Sequence, residues 1–254
     1  MSWIEPQTVP NQTSKASPII GAIDDLVHMV HLGDRSNDIW WSIYDGTSWK
    51  KPDGTPGNVR IPGQKSKAPP ALAAFQNQLH MVHLGDRSND IWWSIYDGTS
   101  WKKPDGTPGN VRIPGQKSKA PPALAAFGGS LYLVHLGDTS NDIWWSAYDG
   151  TSWRGSDGTP GDERIVDQRS KASPAIVGHH LVLHMVHLGD TSNNIWHSTK
   201  QQPAIEWTPN RLVGQSSRAR PSMAATFTQQ GASALHMVYL SSLGKAILHS
   251  LFVD

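Results

Sequence analysis

Two short polar motifs recur along the chain, and both carry side chains suited to holding a hydroxylated ligand. The first is Gly-Asp-Arg-Ser-Asn-Asp at residues 33–38 and 85–90, becoming Gly-Asp-Thr-Ser-Asn-Asp at 137–142 and Gly-Asp-Thr-Ser-Asn-Asn at 189–194. The second, Gln-x-Ser-Lys/Arg-Ala, begins at Gln12, Gln64, Gln116, Gln168 and Gln215. A carboxylate, an amide and a cation together offer the acceptors and donors that a sugar hydroxyl needs, and an aromatic ring beside them would take the C–H face of a pyranose. Two tryptophan columns compete for that last role. Trp40, Trp92, Trp144 and Trp196 give way to Leu248 in the last copy, an apolar exchange that suits a core. Trp41, Trp93 and Trp145 give way to His197 and His249, a polar exchange that suits a partly solvated wall. The expected binding set is therefore Asp34, Asn37, Trp41 and Lys67; Asp86, Asn89, Trp93 and Lys119; Asp138, Asn141, Trp145 and Lys171; and Asp190, Asn193, His197 and Arg218.

A purely structural account competes with this one, since Asp and Asn are favoured turn formers and Ser with Lys can cap a connector. The fifth copy weighs against it. There the first motif has decayed to Ser241-Ser242-Leu243-Gly244-Lys245 while the flanking strand residues persist, so the Asp is dispensable for chain reversal. Four intact sites and one defective site follow as the expectation.

Other chemistries find little support. His28 and His31 lie three apart in an extended segment, which points them to opposite faces, and Tyr132 and Tyr239 replace them in other copies. The Gly-Asp-x-Ser-Asn-Asp loop lacks the carboxylate count and terminal Glu of an EF-hand. No metal or other cofactor is expected. With no Cys, disulfides and thiolate metal sites are impossible. A net charge of +1 gives no electrostatic reason for a nucleic-acid or anionic-membrane partner, and no apolar run predicts membrane insertion. The first residues, MSWIEPQTVPNQTSK, show no basic segment followed by an apolar one. Cytoplasmic residence in the producing cell is the corresponding expectation, with release by lysis or an unusual route as the exception.

The elements that must position these motifs follow from self-similarity. His-Met-Val-His-Leu-Gly-Asp begins at His28, His80 and His184, with variants at Tyr132 and His236, and each step is 52 residues. Residues 28–75 are identical to residues 80–127, the mark of a recent duplication or of deliberate construction. Within one unit, alternation and turn residues predict four strands: 71–75, 79–84, 91–96 and a fourth from 101 to 113 interrupted by Lys-Lys-Pro-Asp-Gly-Thr-Pro-Gly, with 115–122 as the connector. Four antiparallel strands in such a period predict a propeller blade, and five copies predict an all-β, five-bladed β-propeller occupying residues 1–254 as one domain. The fifth copy runs out after its third strand, whereas the chain opens on Ser2-Trp3 and continues to Gln12-Thr13-Ser14-Lys15-Ala16, like the fourth strand and connector of the other units. An N-terminal strand completing the last blade would then close the ring. Small first strands suit the crowded axis, and the wide Trp and Tyr side chains suit the outer space between blades.

In period, blade number, aromatic strands and one polar site per blade, the chain resembles the tachylectin-type and related bacterial and fungal five-bladed β-propeller lectins. The resemblance covers the whole chain in architecture. It implies multivalent recognition of terminal sugars such as N-acetylhexosamine or fucose on glycans or glycoconjugates, without enzymatic activity. Ser-x-x-x-Asp-Gly-Thr-Ser-Trp also looks loosely like the aspartate box of sialidase-type propellers, with the leading Asp displaced. Two alternatives stand beside the lectin reading: an interaction platform or designed repeat scaffold with no sugar ligand, and a five-bladed glycosidase. The last needs a distinctive carboxylate pair, whereas nearly every Asp here sits in a repeated position.

Overall fold

The computed structural model describes residues 8–201, 206–227 and 233–252, and among them there is no helix. The first blade comprises β1 (Ile19–Ile23), β2 (Leu26–Leu32), β3 (Asp38–Tyr44), β4 (Trp49–Lys50) and β5 (Val59–Lys65). The second repeats it as β6 (Ala71–Phe75), β7 (Gln78–Leu84), β8 (Asp90–Tyr96), β9 (Trp101–Lys102) and β10 (Val111–Lys117). The third contains β11 (Ala123–Phe127), β12 (Ser130–Leu136), β13 (Asp142–Tyr148), β14 (Trp153–Arg154) and β15 (Glu163–Arg169). The fourth contains β16 (Ala175–His179), β17 (Val182–Leu188), β18 (Asn194–Gln201) and β19 (Arg211–Ser216), and the fifth β20 (Ser222–Phe227), β21 (Ser233–Leu240) and β22 (Ile247–Phe252). All pairings are antiparallel, and the result is the expected five-bladed β-propeller, five sheets arranged in a ring. The N-terminal closing strand falls on Ser2-Trp3, outside the described residues.

The fourth strand is interrupted as expected but runs further than expected. Pro104, Gly106 and Pro108 interrupt it, so it splits into β9 and β10, both of which pair with β8. β10 also runs to Lys117, into the expected connector. Its register with β8 shifts between Arg112 and Lys117, around Gly115 at φ 76°. That is a bulge at a left-handed backbone position, which glycine adopts without strain and which Asp167 occupies in blade 3 at φ 56°.

The innermost strands β1, β6, β11, β16 and β20 lean on one another around the axis, and their small residues permit it. A Cβ on Gly178 would stand 2.9 Å from the Ala126 carbonyl oxygen of the preceding blade. Between blades the core is aromatic. Trp41 packs edge-on against Tyr96 and Trp101 of the next blade, with ring centroids 4.8 and 5.8 Å apart, and Trp93 meets Tyr148 and Trp153 at 4.8 and 5.5 Å. Buried polar ties add to this core: Ser94 Oγ donates to Gln64 Oε1 at 3.1 Å and Ser198 Oγ to Gln168 Oε1 at 3.0 Å, each joining a connector to the following blade. Gln12 reaches Ser42 in the same way at 3.3 Å, which makes the segment before β1 the equivalent of the other connectors.

Candidate functional site

Cross-strand register decides which tryptophan meets solvent. In blade 1, Trp41 lies opposite Val30 and Val59, whereas Trp40 lies opposite His31 and Arg60. Period-two alternation therefore sends Trp41 to the interblade core and Trp40 to the other face. Trp41, Trp93 and Trp145 are 3–4% exposed, so the expectation that they form a solvated stacking wall is corrected. Two of their indole nitrogens are also committed: Trp41 Nε1 donates to His28 Nδ1 and Trp93 Nε1 to His80 Nδ1, each at 3.1 Å. His197, which follows in the same column, faces His184 Nδ1 at 3.0 Å and packs near Phe252. Burial, with Arg211 nearby, pushes its pKa down.

The partly exposed column is Trp40, Trp92, Trp144 and Trp196. Trp40 lines a cavity of about 380 Å³ with His31, Asp34, Arg35, Ser36, Asn58 and the preceding segment at Asn11 and Thr13. Trp92 lines its counterpart of about 340 Å³, where Gly63 and Lys65 close the preceding side. The floor is a fixed imidazole. His31 Nδ1 donates to the Leu32 carbonyl at 2.8 Å, which leaves Nε2 to accept from the Asn58 amide at 3.0 Å, and His83 repeats this with Leu84 and Asn110. Burial pushes His83 down to about 4, so this floor is neutral at neutral pH. In blade 4 the partner is Asn210, which presents its carbonyl oxygen, Oδ1, to His187 Nε2 at 2.9 Å. Blade 3 differs, for there Asp162 Oδ2 stands 3.0 Å from His135 Nε2.

The glycine opening each loop is dictated by close approach. A Cβ on Gly33, Gly85, Gly137 or Gly189 would collide with the following Ser Oγ and stand 3.2–3.3 Å from the indole Nε1 of Trp40, Trp92, Trp144 or Trp196. Its role in admitting the tryptophan shows only in the folded loop.

The remaining expected site residues do converge on one rim, but largely upon each other. Lys15 donates to Asn37, Lys67 to Asn89, Lys119 to Asn141 and Lys171 to Asn193. Each amide then crosses to the next blade: Asn37 Nδ2 donates to Asp86 Oδ1 at 2.6 Å, Asn89 to Asp138 at 2.5 Å and Asn141 to Asp190 at 2.5 Å. These triads clamp three successive junctions. Beyond Asn193 the fifth loop has no Asp to offer, and exposed Arg218 has no Asn opposite it. Asp34 is likewise left outside a triad, its side chain 55% exposed with Arg35 Nε at 3.8 Å. What stays available at the pockets of blades 1 and 2 is the second carboxylate oxygen, the indole and the residue after the Asp; in blade 4 that oxygen, Asp190 Oδ2, is held by Arg169 Nη1 at 2.8 Å.

A further cavity of about 360 Å³ opens between blades 2 and 3, lined by Trp93, Tyr148, Trp153 and Arg112 among others. Its aromatic walls belong to the interblade core, and it has no carboxylate. Among the described residues no group of three or more His, Asp or Glu side chains is placed to hold a metal ion.

No protein-family model matches the sequence, and no curated protein sequence does. Solved structures of similar shape include a variant of AofleA from Arthrobotrys oligospora, with TM-score 0.64 and 14% identity over 92% of this chain and 67% of that one. An α-L-arabinofuranosidase from Clostridium thermocellum gives TM-score 0.56 and 12% identity over 97% of both chains. The Hadza microbial sialidase Hz136 gives 0.60 and 11% identity over 92% of this chain and 51% of its own. The chain thus spans about two thirds of the length of AofleA and half that of the sialidase. At such identities these likenesses establish a shared propeller architecture and nothing finer.

Proposed function

We propose that the protein is a multivalent carbohydrate-binding protein whose ligands sit in the rim pockets of blades 1 to 4. The observation that carries this reading is the pocket found in blade 1 and again in blade 2: a partly exposed indole above an imidazole–amide floor, edged by carboxylate and hydroxyl groups, with the same loop glycine and partly exposed indole recurring in blades 3 and 4. Such a pocket offers a flat apolar surface to a pyranose ring and both donors and acceptors to its hydroxyls. Several weak sites on one rim multiply affinity for a glycan-coated surface by roughly 10² to 10⁴. Sugar-acting names among the structures of similar shape accord with this reading. A glycosidase would need a carboxylate pair flanking one bond, and the five innermost strands contain neither Asp nor Glu.

The test is a glycan array probed with the purified protein beside Trp92→Ala and Trp144→Ala variants. Selective binding that weakens with each indole removed supports the reading. Binding indifferent to both substitutions moves the ligand elsewhere on the propeller. Silence across the array, with circular dichroism unchanged, favours an interaction platform instead.

A further inference from the structure

The rim loop and its indole recur in blades 1 to 4, but the charges around them differ. In blades 1 and 2 the residue after the rim Asp is Arg35 or Arg87; in blades 3 and 4 it is Thr139 or Thr191. The arginine side chains line their pockets yet are 96% and 94% exposed, and each has only a contact of 3.8–3.9 Å with the neighbouring Asp. Neither distance makes a hydrogen bond, so the guanidinium forks keep their donors for a ligand.

A second cation separates the pockets further. Pocket 2 has Lys65, which stands 3.6 Å from Asp38 and so short of a hydrogen bond with it, where pocket 1 has Thr13. Of the counterparts of Lys65 toward blades 3 and 4, Lys117 stands 3.9 Å from Asp138, again no hydrogen bond, and only Arg169 is tied to the rim carboxylate, at 2.8 Å from Asp190. Arg169 is held further by Asp142 at 3.4 Å. In pocket 2 the Asp86 carboxylate already accepts from Asn37, which lowers its demand on Arg87. Pocket 3 adds a carboxylate to its floor, Asp162, where an anion would be repelled.

We propose that the pockets of blades 1 and 2 select sugars bearing a carboxylate or sulfate, whereas those of blades 3 and 4 take neutral sugars; this rests on the carbohydrate-binding reading above. Arg87, aided by Lys65, makes pocket 2 the strongest anion site, since a planar guanidinium matches the two oxygens of a carboxylate or sulfate. One rim would then require a mixed glycan surface for full avidity, which is a specificity that four identical sites cannot supply.

The experiment prints sulfated and uronic-acid glycans beside their neutral parents and compares wild type with Arg35→Thr/Arg87→Thr and Thr139→Arg/Thr191→Arg at low and high salt. The expected result is a roughly tenfold loss of acidic-glycan binding in the first variant, the scale of one charge-assisted contact, with neutral binding retained. The second variant gains acidic binding, and both differences shrink in high salt. If wild type binds the neutral parents but shows no preference for their acidic forms, or if the first variant loses both classes equally, the division of sites is overturned while carbohydrate binding stands. If no printed glycan binds to folded protein, the carbohydrate reading falls and this inference with it.

Discussion

Trp92 and Trp93 are adjacent in sequence and opposite in circumstance, because successive residues of β8 point to opposite faces. Trp93 is 4% exposed among Tyr148 and Trp153, so Trp93→Ala is expected to cost about 3–5 kcal/mol in chemical denaturation. Trp92→Ala, at a partly exposed pocket wall, should cost much less and act on ligand affinity. Equal losses of stability would place both rings in the core. Gly137→Ala probes the role of the loop glycine, since the added methyl would collide with Ser140 Oγ and stand 3.3 Å from the Trp144 indole. A destabilisation of about 1–3 kcal/mol is expected, with a change in tryptophan fluorescence as the indole is displaced. The buried histidines set a pH dependence. Burial lowers His28, His80 and His83 to about 4, below the ordinary value near 6.5. Between those values the unfolded chain binds more protons, so stability is full above pH ~6.5 and falls as pH drops toward ~4, by on the order of 3 kcal/mol per fully buried histidine. Urea midpoints taken across that range check the sign; a flat profile would contradict it.

At the scale of the elements, the inner hairpins were readable because alternation and turn chemistry agree. β6, for example, begins and ends where the pattern places it. The β6–β7 turn departs from ideal chemistry: Gln76 and Asn77 both hold positive φ, 51° and 55°, where the equivalent turn in blade 3 has Gly128-Gly129. Replacing Gln76-Asn77 with Asn-Gly should therefore raise stability by about 0.5–1 kcal/mol, measured by thermal unfolding, and no gain would show that the present turn is unstrained. The divided fourth strand was less legible. A proline- and glycine-rich insertion announces an interruption, but whether the chain rejoins the same neighbour depends on the bulge around Gly115 and its pairing with β8. Asp97 shows the local side of the same problem, accepting from Thr99 and Ser100 to shape the turn before β9. It is a carboxylate used for folding, and Asp45 and Asp149 accept in the same way in blades 1 and 3.

Across the whole molecule the Lys–Asn–Asp triads link blades 1 to 4 in series and stop where the fifth loop begins. Asn89→Ala should cost about 1–2 kcal/mol by removing a cross-blade amide from Asp138 and Lys67. Asn193→Ala, which lacks an Asp on the next blade, should cost clearly less; identical losses would deny the clamp any role between blades. The five copies and the strands of each blade were written in the sequence, because a repeat declares its period and a strand its alternation. The partition of each motif between holding blades together and facing solvent was not. Copy-to-copy substitution pointed to Trp41 as the exposed column since histidine replaces it, yet His197 is accommodated there by pairing with His184. A polar replacement signals water only when no buried partner is waiting, and that partner lies on another strand. The face a tryptophan takes, the amide that spans a junction and the arginine left without a strong partner are properties of register and blade packing, so only the tertiary structure decided them.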